Sequence, residues 1–265
     1  MNAILRFDLL ELLPTQVLAA GNDPLGHVLD HSYGLPLGLT KHALLLITSL
    51  CLCLTIFPAV AKRIESGKLG VFGGLFEALL LFIRDDVARP FLGKDAERFL
   101  PVIWTFFFFI LFCNVLGLVP GLASATGNIS VTITLALYAF AIYHFCGIRE
   151  NGFVHYVKAN LLVGPPPLWP LMILLEIVGH IIKPAALAIR LWANMVGGHV
   201  MLTVIIGFTG VMTADNLVGG GLIALVAGGS GVLLNLLELL VAIIQAFIFT
   251  FLTTVFLSMA LHPDH

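Results

Sequence analysis

Charge is what this sequence has least of: 11% of its 265 residues are Asp, Glu, Lys or Arg, against about a quarter in a soluble domain. Hydrophobic residues make up 59%, which is the composition of a chain that lies in lipid. The net charge of −2 provides neither a basic field for nucleic acid nor an acidic tail. Nucleic-acid binding is therefore excluded, and no polar stretch is long enough for a separate soluble domain.

Cysteine is also scarce. The four cysteines, Cys51, Cys53, Cys113 and Cys146, lie in or beside apolar runs and lack CxxC spacing. Neither a disulfide framework nor a zinc site is indicated, so we interpret them as small apolar core residues.

Residues 1–41 are expected to form an external segment ahead of a single membrane domain, residues 42–265. The apolar start of this segment resembles a signal peptide, but Asp8, Glu11 and Pro14 interrupt it, so cleavage stays an open alternative. His27 and His31 follow in a loop rich in Gly and Pro. Solvated side chains are favoured over a metal site there.

Five apolar runs are long enough to cross a membrane as helices, which takes about 20 residues each. A further stretch, residues 69–92, carries five charged side chains, Glu77, Arg84, Asp85, Asp86 and Arg89, and is predicted to be an amphipathic helix at the interface. The predicted fold class is an all-α polytopic membrane protein. Its crossings are expected near residues 42–61, 100–120, 131–147, 168–208 and 220–261.

The last two runs are each about 40 residues, or roughly 60 Å as helix, which is twice the thickness of a hydrocarbon core. Their middles, Leu187–Leu191 and Leu239–Ala242, contain no turn residues. Two long, steeply tilted helices are therefore predicted instead of hairpins. The first could bend at Gly179, Pro184 and Gly197-Gly198.

Lys and Arg are spread unevenly about these crossings. Seven of the thirteen fall between the first two crossings, whereas residues 121–130 and 209–219 contain none. Because cytoplasmic loops are enriched in Lys and Arg, this asymmetry predicts an external N-terminus and a cytoplasmic C-terminus.

Arg190 is the last Lys or Arg of the chain and lies about twenty residues from either end of its apolar run. Snorkelling would require helix tilt to bring it near an interface. An unpaired arginine in mid-bilayer costs about 3 kcal/mol on insertion scales and over 10 in simulation. A functional role is therefore favoured for Arg190.

Other polar residues share its helix face. At about 100° per residue, the residues within about 80° of Arg190 are Glu176, His180, Lys183 and Asn194, whereas His199 lies opposite. A second polar stripe in the last segment consists of Asn235, Glu238 and Gln245. If the two helices run antiparallel, His199 and Glu238 lie nearer the outer loop and Arg190 and Gln245 deeper. For the two glutamates, neutral carboxylic acids remain an open alternative, and for the amide side chains, ordinary interhelical hydrogen bonds. Taken together, the polar residues of both helices predict a proton path interrupted by a fixed positive charge.

These residues resemble the signature of subunit a of the F-type ATP synthase. The resemblance rests on Lys183-Pro184, on Ile189-Arg190-Leu191-Trp192-Ala193-Asn194-Met195, on Gly198-His199, and on Gln245–Phe249 with Leu257–Met259. It implies a stator subunit with two aqueous half-channels, placed against a rotating ring of c subunits and joined by peripheral-stalk b subunits and the remaining synthase subunits. It implies no catalytic site in this chain, and no cofactor or metal.

Carried over by position, the resemblance makes Arg190 the family's essential arginine. It puts Asn194, His199, Glu238 and Gln245 around the outer half-channel and Glu176 near the inner one. Many bacterial members look reversed at the positions of His199 and Glu238, and this chain has the arrangement similar to mitochondrial subunits. A bacterial plasma (inner) membrane is expected, with the mitochondrial inner membrane as the alternative, and the choice between proton and sodium stays open.

Two other classes of membrane protein fit the sequence less well. A secondary transporter would usually show internal repeats with broken helices, and none is found. An intramembrane metalloenzyme would use Glu176 and His180, but neither an HExxH motif nor a third clustered ligand accompanies them.

Overall fold

The computed structural model describes residues 41–66, 70–119, 124–161, 169–214 and 220–262. Every regular element in these ranges is helical, so the predicted all-α class is confirmed. The predicted external segment, with His27 and His31, lies outside the described residues apart from Lys41. The α-helices are α1 Lys41–Glu65, α2 Val71–Phe82, α3 Arg89–Leu92, α4 Ala96–Gly117, α5 Ile129–Asn151, α6 Phe153–Leu161, α7 Trp169–Ala214 and α8 Gly220–Leu261.

Five helical segments in the described ranges are long and apolar enough to cross a membrane. They correspond in order to the five predicted crossings, so the expectation of a polytopic membrane protein is confirmed. The segments are His42–Ile64, Gly73–Gly117, Ile129–Asn151, Trp169–Met201 and Gly228–Leu261.

The second of these segments combines the predicted interfacial helix with the predicted second crossing. Between α2 and α4 the chain passes through a π-helix, Ile83–Ala88, then α3 and a 3-10 turn, Gly93–Asp95. Gly93 ends α3 with φ of 55°, a conformation that side chains with a Cβ rarely adopt. Three charged residues of this region pair with one another: Asp85 lies 3.0 Å from Arg84 and 2.7 Å from Arg89. An interfacial position for α2 and α3 stays a prediction.

Helices α7 and α8 are each a single element, of 46 and 42 residues. This confirms two long helices in place of two hairpins. Their lengths of about 69 and 63 Å are at least twice the thickness of a bilayer core of about 30 Å, so neither helix can stand upright in a membrane with its whole length in lipid.

The chain divides into two compact units. Unit 1 consists of the described residues within 1–48, 113–128 and 192–244, and unit 2 of those within 49–112, 129–191 and 245–265.

Unit 2 contains a core rich in phenylalanine. The rings of Phe57 and Phe76 lie 5.0 and 5.5 Å from that of Phe108, which is fully buried, as is Phe249. Since lipid is as apolar as these rings, close packing and not the hydrophobic effect holds such helices together.

Candidate functional site

Arg190 lies in the interior of α7 and belongs to unit 2. Leu187, Ala188 and Leu191 face the core, at 4% exposure or less, so the helix turns Arg190 to the opposite, exposed side. No hydrogen bond or ion pair to Arg190 occurs within the described ranges. A permanent positive charge thus projects from an apolar helix without a counter-charge from this part of its own chain.

Glu176, His180 and Lys183 form a charged group on α7, two to four turns before Arg190. The Oε1 atom of Glu176 lies 3.3 Å from His180 Nδ1 and 3.6 Å from Lys183 Nζ. The backbone oxygen of Glu176 also accepts a hydrogen bond from His180 Nδ1 at 2.7 Å. The structure therefore brings three of the predicted site residues together, each with 21–33% of its side chain exposed.

This group lines a cavity of about 740 Å³ within unit 2. The lining of the cavity also includes a second pair, Asp95 and His262, whose Oδ2 and Nε2 atoms are 3.6 Å apart. The cavity is roomy enough for water and has ionisable groups on several sides. The other polar side chains on its wall are Lys94, Tyr143, Tyr156 and Ser258.

In unit 1, helices α7 and α8 approach closely at Gly198 and Glu238. A Cβ added to Gly198 would lie 2.6 Å from the Cδ atom of Glu238, so only glycine leaves room for that carboxyl group. The buried Oε1 atom of Glu238 has no hydrogen-bond partner among the described residues. His199, the next residue of α7, is half-buried.

The remaining predicted site residues differ in exposure. Asn194 is exposed and Asn235 half-buried, both in unit 1. Gln245 is 3% exposed and, like Arg190, belongs to unit 2.

Unit 1 also contains a buried polar network that the sequence analysis missed. Asn114, on α4, donates to the backbone oxygen of Ala242 at 3.3 Å and accepts from the Thr126 hydroxyl at 2.9 Å. The Ser124 hydroxyl lies 3.2 Å from the Thr126 hydroxyl. The backbone oxygen of Ser124 accepts a hydrogen bond from His42 Nδ1 at 2.7 Å. One asparagine in a phenylalanine-rich run was the only signal of this network in the sequence.

A second missed pair lies in unit 2, next to the charged group of α7. His144 of α5 and Tyr156 of α6 are joined by a hydrogen bond of 2.7 Å between Nδ1 and the phenol oxygen. Burial, with the Glu176 carboxylate as a smaller cause, raises the pKa of Tyr156 to about 12. The phenol therefore stays protonated at any physiological pH.

Metal binding gains no support from this geometry. No group of three or more His, Cys, Asp or Glu side chains suited to a metal ion forms among the described residues.

Taken together, these features define a multi-pass α-helical membrane protein with ionisable side chains inside its apolar helices. A family model described as ATP synthase A chain matches residues 43–258. The chain is 39% identical to ATP synthase subunit a of Chloroherpeton thalassium over 88% of its length and 69% of that protein. It is 38% identical to ATP synthase subunit a of Myxococcus xanthus, over 87% of its length and 77% of that protein.

The chain belongs to the ATP synthase A chain family, so the resemblance found in the sequence is confirmed. As a member, it is a non-catalytic component of the membrane sector of an F-type ATP synthase.

Proposed function

We propose that this chain is the stator subunit that carries protons to and from the rotating c-ring of its ATP synthase. One observation carries the proposal: Arg190 is an exposed, permanently charged side chain on an apolar helix, with no counter-charge among the described residues. An uncompensated charge in lipid is costly. A carboxylate supplied by a neighbouring subunit would remove that cost.

The fixed positive charge of Arg190 explains how proton transfer is coupled to rotation of the c-ring. A c-ring carboxylate that reaches Arg190 is held ionised, because a nearby positive charge favours the charged form of an acid. It must therefore release its proton before it arrives and take up another after it has passed. Since each elementary charge that crosses 100 mV is worth about 2.3 kcal/mol, proton flow on the two sides of Arg190 can drive rotation.

Two separate polar regions provide the paths to the two sides. The inner path is the cavity of unit 2, where Glu176, His180 and Lys183 contact one another. The outer path lies in unit 1, at His199 and Glu238, with Asn194 and Asn235 nearby in the sequence and the network of Asn114 as a further polar element. Gln245 is included in the outer half-channel by the family resemblance alone.

The proposed function also implies the partner subunits and the membrane of this chain. The partners are the c-ring, the peripheral-stalk b subunits and the remaining subunits of the synthase. The relatives described above are bacterial, which supports a plasma membrane location. The uneven distribution of Lys and Arg in the sequence is the support for an N-terminus outside and a C-terminus in the cytoplasm.

The test of the proposal is Arg190→Ala in the intact synthase. We expect ATP-driven proton pumping to disappear while passive proton leak through the membrane sector persists, because nothing then separates the two paths. Arg190→Lys is also expected to fail, since an ammonium in a dry interface can lose its proton and lacks the planar geometry of the guanidinium. The measurement is dye quenching in inverted vesicles.

The control is Arg149→Ala, which removes an exposed charge at the end of α5 and is expected to pump normally. Coupled pumping at the wild-type rate in Arg190→Ala would overturn the proposal.

A further inference from the structure

Two histidines from different helices stack beside the unit 2 cavity. The ring centroids of His144 and His180 are 5.0 Å apart, with an angle of 26° between the ring planes. Two positive imidazolium rings at this separation would repel each other strongly in a medium of low dielectric constant. The pair therefore holds one added proton at most.

The neighbours of the pair favour His180 as the ring that carries the proton. Its Nδ1 atom faces the Glu176 carboxylate at 3.3 Å, and an opposite charge stabilises the protonated form. Lys183 opposes this effect but lies against the same carboxylate. The other ionisable groups that face the cavity are Tyr143, Tyr156, Lys94 and the pair of Asp95 with His262.

His144 has the opposite surroundings. Its Nδ1 atom bonds to a neutral phenol, that of Tyr156, and its Nε2 atom is buried without a hydrogen-bond partner in the described part of the chain. Among the described residues, no carboxylate forms an ion pair with this ring. A positive charge on it would be desolvated without compensation, so His144 stays neutral and its Nδ1 atom accepts a hydrogen bond from the phenol of Tyr156.

We infer that His180 takes up and releases protons at the inner cavity, and that His144 and Tyr156 are positioning residues that hold its ring there. Since the backbone oxygen of Glu176 fixes a hydrogen on Nδ1 of His180, the exchanging nitrogen is Nε2. It accepts a proton from water in the cavity and returns it to water, and the ring alternates between neutral and +1. This inference rests on the proposed function.

The experiment measures passive proton conductance in inverted vesicles from which the ATP-hydrolysing sector has been stripped. A potassium diffusion potential drives protons from the medium through the inner cavity, and the medium is varied from about pH 5 to 8, the range in which histidine changes charge. His180→Gln is expected to match the wild type at the acidic end. Toward pH 8 it should fall about threefold below it, much less than the loss of a sole acid–base group, because water in the cavity still carries protons.

The roles of the two positioning residues, His144 and Tyr156, are distinguished by comparing variants. His144→Phe keeps a neutral ring under His180 and is expected to retain the wild-type pH profile, whereas His144→Ala removes the ring and should shift the profile toward that of His180→Gln. Tyr156→Phe removes the same hydrogen bond and leaves both rings in place, so its profile should match that of His144→Phe. The matched control is His155→Gln, an exposed histidine next to Tyr156 in the sequence, which should leave the profile unchanged.

Two results would overturn the inference. One is a His180→Gln variant whose proton conductance runs parallel to that of the wild type at every pH. The other is a His144→Phe variant whose conductance falls toward pH 8 as in His180→Gln, which would make His144 the exchanging ring. Co-purification with the synthase shows that each variant is assembled. If His144→Ala fails to assemble, the comparison of the His144→Phe and His180→Gln profiles still decides which ring exchanges protons. Normal pumping by Arg190→Ala would refute the proposed function itself, whereas failure of the histidine variants alone refutes only this inference.

Discussion

The carboxylate of Glu176 is shared between His180 and Lys183, at 3.3 and 3.6 Å, so this one side chain is the negative partner of both. We predict that Glu176→Gln slows proton transfer without abolishing it, because the cavity of about 740 Å³ is wide enough for water to carry protons. The measurement is the rate of ATP-driven pumping as a function of pH.

The matched control is Glu97→Gln, which removes an exposed partner of Arg89 and is expected to have little effect, as is usual for a surface ion pair. An unchanged rate in Glu176→Gln at every pH would favour a purely structural carboxyl group. Complete loss would mean that water does not carry protons through the cavity unaided.

His199 and Glu238 are expected to act as one protonatable unit, whose titration belongs to the pair. His199→Ala and Glu238→Ala should each impair proton uptake on the outer side. The exchange His199→Glu with Glu238→His should recover more pumping than either of its single changes, because the same two groups are then present in reversed order. A double-mutant cycle on pumping rates tests this, and strictly additive losses would show that the two residues do not interact.

At the scale of the element, α7 contains adjacent glycines with different surroundings. A Cβ at Gly198 would meet the side chain of Glu238, whereas one at Gly197 would meet nothing within 4 Å. We predict that Gly198→Ala displaces the Glu238 carboxyl group and lowers the pumping rate. Gly197→Ala should keep the rate, and it should stabilise the helix by up to about 1 kcal/mol because alanine is the better helix former.

The comparison uses two changes of identical chemistry in adjacent positions of one helix. Pumping rate and thermal stability of the purified complex are the two readouts. Equal pumping by both variants would show that the position of the Glu238 carboxyl group does not matter for proton uptake.

At the scale of the whole molecule, the end of the last helix is held by a residue more than 100 positions earlier. The Asn151 amide donates to the backbone oxygens of Ala260 and Leu261, both at 3.1 Å. At a helix C-terminus such oxygens have no partner within the helix itself. We predict that Asn151→Ala destabilises unit 2 by about 1 to 3 kcal/mol and exposes the end of α8 to a protease. Melting temperature and digestion rate are the measurements, and Arg149→Ala, in the same turn, is the control.

If Asn151→Ala melts and is digested like Arg149→Ala, the end of α8 is held by packing alone, and this amide contributes nothing.

The long helices could be read from the sequence because bilayer thickness fixes how many apolar residues a crossing needs. The group at Glu176, His180 and Lys183 was also readable, since residues three, four and seven apart share a helix face. The Asn114 network and the pairing of His144 with Tyr156 were not. His42 and Ser124 are 82 residues apart, and Asn114 and Ala242 are 128 apart, so such contacts depend on how helices pack, which a period along one segment does not contain.

The spacing of Glu176, Lys183 and Arg190 along α7 constrains the number of residues between them as well as their identity. Each lies seven positions after the one before, which is nearly two full turns, and all three lie in one helix of 46 residues with no loop between them. Inserting one residue between Lys183 and Arg190 would turn the guanidinium by about 100° relative to Glu176. We therefore expect this stretch to accept substitutions but no insertion or deletion, which only the connections outside the helix can take up.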